Sequence, residues 1–111
     1  MLKKAVAIIG TGYGLRVINS CISKTKNFYV KKIISRKKKG KLYSNKFHSI
    51  LKDKQISLIC LETPPFTHLD YLQKLKNFKK NILCEKPFLI NQKEINFFEN
   101  NKEKLNFNLL I

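Results

Sequence analysis

Apolar and polar positions along this chain follow two different periods. Ala5 to Ile9 and Ile56 to Leu61 are unbroken apolar runs, the pattern of strands buried on both faces of a parallel sheet. Between them, Leu15, Val17, Ile18, Cys21 and Ile22 share one side of a helix running from Gly14 to about Lys24, with its exit at Asn27. Phe28 to Ile34 is rich in β-formers and predicts a second strand, and beyond a basic turn Phe47, Ile50 and Leu51 have the spacing of a short helix. Pro64 and Pro65 stop the strand that ends at Leu61. Thr67 with Asp70, and later Asn91 with Glu94, carry the spacing of a capping box, and each pair opens a helix. Leu69, Leu72, Leu75 and Phe78 stripe the first of these helices, while Ile95, Phe98 and Leu105 keep one face of the second. Asn81 to Cys84 and Phe107 to Ile111 complete a β-α-β-α-β-α-β-α-β order, which predicts an open parallel α/β sheet with helices on both faces.

A chain of 111 residues has room for one domain, spanning 1–111, and 43% hydrophobic residues give it the means to form a core. The formal charge of +16 raises the question of a polyanionic partner. Along the sequence the lysines are dispersed, the longest run is Lys37 to Lys39 with Lys41 just beyond, and the only arginines are Arg16 and Arg36. Base readout and bidentate phosphate recognition favour arginine, so the composition argues against a dedicated nucleic-acid role. The apolar run after Lys4 is too short to span a membrane or to form the core of a signal peptide. Cys21, Cys60 and Cys84 are odd in number and set in apolar segments, which predicts buried free thiols and a cytoplasmic location. No spacing among these cysteines, His48 and His68 matches a metal site.

The first strand-to-helix turn reads Gly10-Thr11-Gly12-Tyr13-Gly14-Leu15. In a dinucleotide-binding fingerprint the first glycine makes a tight turn and the second lets a pyrophosphate approach the backbone at a helix amino end, roles that Gly10 and Gly12 fit. The third glycine falls one position early, at Gly14 where the pattern G-x-G-x-x-G would put it at Leu15, so a loop that simply needs positive φ angles is the competing interpretation. Its place between a buried strand and a helix at the start of a β-α-β unit favours phosphate binding and a Rossmann-like sheet. At the end of the second strand stand Ser35 and Arg36, with no carboxylate to meet a ribose 2′-hydroxyl. A hydroxyl and a guanidinium suit a 2′-phosphate, so the cofactor expected is NADP, or NAD if Arg36 belongs only to the general basic excess.

Two further segments, Thr63-Pro64-Pro65-Phe66-Thr67-His68 and Cys84-Glu85-Lys86-Pro87, follow the third and fourth long strands. With the glycine loop they resemble the N-terminal domain of the Gfo/Idh/MocA oxidoreductases, the glucose–fructose oxidoreductase and inositol dehydrogenase relatives, over about Lys4 to Ile111. The resemblance implies that Lys86 lies near the nicotinamide and the reacting hydroxyl, where an ammonium could stabilise negative charge or assist proton transfer. It further implies that Glu85 orients the cofactor, that Pro87 fixes an unusual backbone such as a cis bond, and that Thr63, Pro64 and Pro65 shape the loop facing it. His68 is expected either to contact the cofactor or to cap and pack its loop.

The chain departs from the family in two places. Only Lys37 to Lys46 stand where relatives have a full helix and a small strand, and Glu62 precedes Thr63 where a small or apolar residue is usual. A carboxylate there opposes cofactor phosphates unless it turns away or pairs with a lysine. The resemblance covers only the first domain of such an enzyme, so the expectation is a nucleotide-binding domain truncated before its substrate domain, able to bind a nicotinamide dinucleotide but not to turn over a sugar-like alcohol alone. The alternative is a non-catalytic module that senses the dinucleotide or pairs with another chain or a second copy through its last strand.

Overall fold

In the computed structural model of this chain, residues 3–10, 12–35, 43–44 and 47–111 are described. Six parallel strands form one sheet: β1 (Lys4–Ile9), β2 (Phe28–Ile34), β3 (Tyr43–Ser44), β4 (Ile56–Leu61), β5 (Asn81–Cys84) and β6 (Asn108–Leu110). Their order across the sheet is β3-β2-β1-β4-β5-β6. The winding reverses between β1 and β4, and in open α/β sheets the crevice at such a reversal, at the carboxyl ends of the strands, is where ligands bind.

The helices are α1 (Tyr13–Ser23), α2 (His48–Lys52), α3 (His68–Lys74) and α4 (Gln92–Asn101). Two apolar clusters, one on each face of the sheet, hold the layers together. Leu15 and Ile22 of α1 pack with Val6, Ile8, Ile33 and Cys60 on one face. Ile50 of α2, with Leu72 and Leu75 near α3, packs on the other against Ile9, Leu61 and Ile82, and Phe98 of α4 joins them. The unbroken apolar runs of β1 and β4 are therefore needed because both their faces are covered; Val6, Ala7, Ile8, Ile59 and Cys60 are fully buried.

The strands lie where the sequence pattern puts them, except that β3 falls inside the expected basic turn, where two residues carry no periodic signal. The last strand is shorter than 107–111 and its Leu110 is exposed. Asn91 caps α4 by accepting from the Glu94 amide at 2.9 Å, and the Glu94 carboxylate reaches back to the Ile90 amide at 2.9 Å. The equivalent expectation at Thr67 is corrected. Pro64 and Pro65 start a 3-10 turn over Pro65–Thr67, so Thr67 is already wound (φ −97, ψ −12) and its hydroxyl donates to Pro64 O at 2.6 Å, with no bond into α3. Leu105 lies beyond the end of α4, after a further 3-10 turn. Val17 and Cys21, expected on the buried side of α1, are exposed, so of the three thiols only Cys60 and Cys84 are buried.

Candidate functional site

Three backbone hydrogen bonds line up the strand ends at the winding reversal. The Gly10 amide donates to Ile34 O (3.2 Å), the Glu62 amide to Ile9 O (2.8 Å) and the Glu85 amide to Leu61 O (3.1 Å). The first residues after β1, β4 and β5 are thereby set side by side. Gly10 takes φ +129, and a Cβ on it would stand 2.6 Å from the backbone oxygen of Glu62, so two independent constraints require glycine.

Gly12 differs. Its φ of +91 also favours glycine, yet a Cβ there would meet nothing within 4 Å. Open space lies directly in front of the amino end of α1, which has Gly12 as its N-cap, no side-chain cap and no acidic residue in its first turn. Free amides and the positive end of the helix dipole suit an anionic group, and the missing Cβ lets that group reach the backbone. These residues fit the pyrophosphate of a dinucleotide.

Beside this opening is a cavity of about 520 Å3, with Gly14, Val17 and Ile18 of α1 on one side and Glu62, Thr63, Pro64 and Glu85 on the other. Gly14, Thr63, Pro64 and Glu85 were expected in the site, and Glu62 was expected to oppose its phosphates. Val17 and Ile18 were not expected there, although Gly14, Val17 and Ile18 have the i, i+3, i+4 spacing that puts them on one helical face. At the shifted third glycine, a Cβ on Gly14 would stand 2.9 Å from the Glu62 carboxylate, an overlap that the end of that side chain relieves by moving.

Glu62 is only 8% exposed. Burial, and secondarily the Glu85 carboxylate, push its pKa up to about 7. No lysine pairs with it among the described residues, so the expected conflict with phosphates is moderated by partial neutralisation. Burial, with the Glu62 carboxylate and for Cys84 also that of Glu85, holds the Cys60 and Cys84 thiols at about 12, leaving both inert.

The Lys86–Pro87 peptide is cis, and the Glu85 carboxylate accepts from the Lys86 amide at 3.0 Å. Glu85, Lys86 and Pro87 are exposed at the carboxyl edge of the sheet, while Pro65 begins the turn leading into α3. Ser35, at the end of β2, is buried. Thr11, Arg36 and the side chain of Tyr13 lie outside the described residues.

Of the two roles expected for His68, the geometry favours packing of its loop, since it does not line the cavity. It is fully buried, with Nδ1 2.9 Å from Phe88 O and Nε2 2.9 Å from Thr63 O, and so ties the Thr63-Pro64-Pro65 loop to the segment after Pro87. Replacing His68 by alanine would remove the ring that joins the two carbonyls and open a void in the core. The expected loss is about 3 kcal/mol, read as a lower midpoint in urea unfolding.

A helix opened by glycine at the winding reversal of a β3-β2-β1-β4-β5-β6 sheet defines a dinucleotide-binding Rossmann domain. Residues 4–105 match the Gfo/Idh/MocA family, described as an oxidoreductase family with an NAD-binding Rossmann fold, and the chain belongs to that family. Among solved structures, GenD2 from gentamicin A biosynthesis, determined in complex with NAD, superposes with a TM-score of 0.83 at 16% identity, over 99% of this chain and 34% of its own. An oxidoreductase from Bacillus cereus (TM-score 0.78, 21% identity) and an NAD-binding protein from Listeria innocua (0.79, 16%) each match over 97% of this chain and 34% of their own. The chain thus spans about a third of the length of these structures, and at such identities the likeness shows the fold. A comparison with curated protein sequences finds no match. Among the described residues no helix is long and apolar enough to cross a membrane, and no group of three metal-ligating side chains comes together.

Proposed function

We propose that residues 1–111 form the nucleotide-binding unit of an enzyme that moves hydride between a sugar- or cyclitol-like alcohol and a nicotinamide dinucleotide, as in glucose–fructose oxidoreductase and inositol dehydrogenase relatives. The observation that carries the reading is the space in front of Gly12, at the amino end of α1 and at the winding reversal of the sheet. When bound, the dinucleotide supplies the hydride chemistry. Gly10, Thr11, Gly12, Tyr13 and Gly14 would cradle its pyrophosphate, and Ser35 with Arg36 its ribose, with a preference for the 2′-phosphate of NADP. Thr63, Pro64 and Pro65 would flank the nicotinamide on one side and Glu85, Lys86 and Pro87 on the other. His68 acts as a positioning residue by joining those two segments. The exposed Lys86 ammonium is suited to stabilise negative charge on a reacting oxygen. Holding the alcohol requires a second domain, so these residues alone bind cofactor without appreciable turnover. Two buried free thiols support a reducing, cytoplasmic setting.

Titration of the chain with NADPH and with NADH, followed by nicotinamide fluorescence, tests this reading. Saturable binding is expected, tighter for NADPH, and Arg36→Asp is expected to abolish that preference by about tenfold or more. A folded chain that binds neither nucleotide would overturn the assignment.

A further inference from the structure

In a parallel sheet every connection from a helix to the next strand lies at the same edge, opposite the cofactor crevice. The sequence disperses its lysines, but the fold gathers them there. Lys3 and Lys4 precede and open β1, Lys24 and Lys26 lie between α1 and β2, Lys52 ends α2 and Lys54 lies between α2 and β4. Lys76, Lys79 and Lys80 lead into β5, and Lys102 and Lys104 stand between α4 and β6. These are eleven of the sixteen lysines in the described residues, and all except the half-buried Lys80 are exposed.

The connections are contiguous. The Lys4 amide donates to Asn27 O at 2.8 Å, Lys80 Nζ donates to Lys54 O at 2.6 Å, and the Asn106 amide donates to Lys76 O at 2.9 Å. Neighbouring strands stand about 4.8 Å apart, so the starts of β2, β1, β4, β5 and β6 make a basic front about 20 Å wide.

Few carboxylates oppose it. Asp53 is already engaged by Lys31 at 2.7 Å, Glu99 pairs with Lys102 at 2.8 Å, and Glu103 is the remaining one in these connections. Lysines near helix carboxyl ends offset the helix dipoles, but one or two per helix would do that, and eleven exceed the need. Positive charges this close repel one another unless an anion screens them.

We infer that this edge binds the phosphodiester backbone of nucleic acid. About 20 Å of duplex carries roughly a dozen phosphate charges, so those on the side facing this edge are enough to engage the lysines that are not already held by Glu99 or by backbone carbonyls. Exposed Asn27, Gln55, Asn77 and Asn106 lie among them and add neutral donors of the kind that contact phosphate and sugar. The large exposed apolar side chains lie elsewhere, on α1, α4, Ile90 before α4, the Phe66 turn and the chain's last residues, with Tyr29 of β2 the one near this edge. A membrane-surface site would be expected to carry apolar side chains for insertion, and this edge does not present a row of them. With lysine in place of arginine, binding is independent of base sequence.

Fluorescence anisotropy with a labelled 20-nucleotide RNA, and with a DNA duplex of matching sequence, tests the inference between 50 and 200 mM KCl. Saturable binding with Kd of about 1 μM at the lowest salt is expected, weakening steeply as salt rises. The triple variant K26Q/K79Q/K104Q is expected to bind about tenfold more weakly and to lower the slope of log Kd against log salt by about three. R16Q/K93Q removes two charges at the ends of α1 and α4 opposite this edge and is expected to change Kd less than about twofold. Unchanged melting of both variants, and unchanged nicotinamide binding by the edge variant, separate this inference from the cofactor reading. Weakening by R16Q/K93Q as large as that by the edge variant would overturn it, as would no binding at 50 mM KCl. Binding to vesicles containing 30% phosphatidylserine without binding to either oligonucleotide would equally overturn it.

Discussion

Gly10→Ala is expected to leave little folded protein, whereas Gly12→Ala should fold and lose its ligand. At position 10 an added methyl meets the backbone oxygen and carbon of Glu62 at 2.6 and 2.7 Å, and the φ of +129 is hostile to any side chain. Neither contact belongs to a flexible group. Relief would require β1 and β4 to separate where the Glu62 amide donates to Ile9 O, in the centre of the sheet. Overlap and backbone strain together cost about 4 kcal/mol or more, enough to lower the melting temperature of a domain this size by about 15 °C. At position 12 the strain of φ +91 costs about 1 to 2 kcal/mol with no clash. The new methyl instead fills the space where an anion would meet the helix amides, so affinity for the dinucleotide is expected to fall at least about tenfold. Circular dichroism melts and nicotinamide fluorescence on the two variants make the comparison. A Gly12→Ala protein that binds as well as the parent would mean that the opening is not where the cofactor sits.

The second large effect comes from Glu62. Its pKa is raised from 4.5 to about 7 by burial and by Glu85, so the folded state holds a proton that the unfolded chain releases. Stability contributed in this way is fully present below about 4.5 and is lost as pH rises through about 7. Glu62→Gln does not titrate, so the variant is expected to gain on the parent between those values and to stay ahead above them. Discounted for the water in the adjoining cavity, the gain is about 1 to 2 kcal/mol, or roughly 4 to 8 °C in melting temperature for each kcal/mol. The ionised carboxylate also stands in the wall of the cavity with Glu85. Cofactor affinity in the parent should therefore improve from pH 8 to pH 6, and in Glu62→Gln it should change little. Differential scanning calorimetry and isothermal titration at those two values measure both, and parallel behaviour of parent and variant would refute the role given to this group.

Much of the sheet was legible because a strand buried on both faces leaves an unbroken apolar run, and β1, β2, β4 and β5 each have one or a β-rich equivalent. The strand β3 was not, since two residues cannot show a period. Helix α1 misled in one respect. Its apolar residues serve two purposes, Leu15 and Ile22 filling the core while Val17 and Ile18 line the cavity, and periodicity does not separate a core face from a ligand-facing one. The carboxylate at position 62 was visible as an anomaly. Its consequence was not, because only the packing of Gly14 against it across two elements shows that the carboxyl is enclosed. His68 was ambiguous for a similar reason: both its partners are backbone carbonyls, one of them twenty residues away. The lysines, read as scattered, were dispersed only along the chain, and a parallel sheet brings every second connection to one edge.

That alternation has a genetic consequence. Each β-α passage ends on the crevice side and each α-β passage on the opposite rim, so the codons for the two surfaces are interleaved from the first strand to the last. No contiguous stretch of the gene can be exchanged to transplant one surface while sparing the other. Point substitutions, by contrast, reach either surface alone, which lets the two diverge under separate selection.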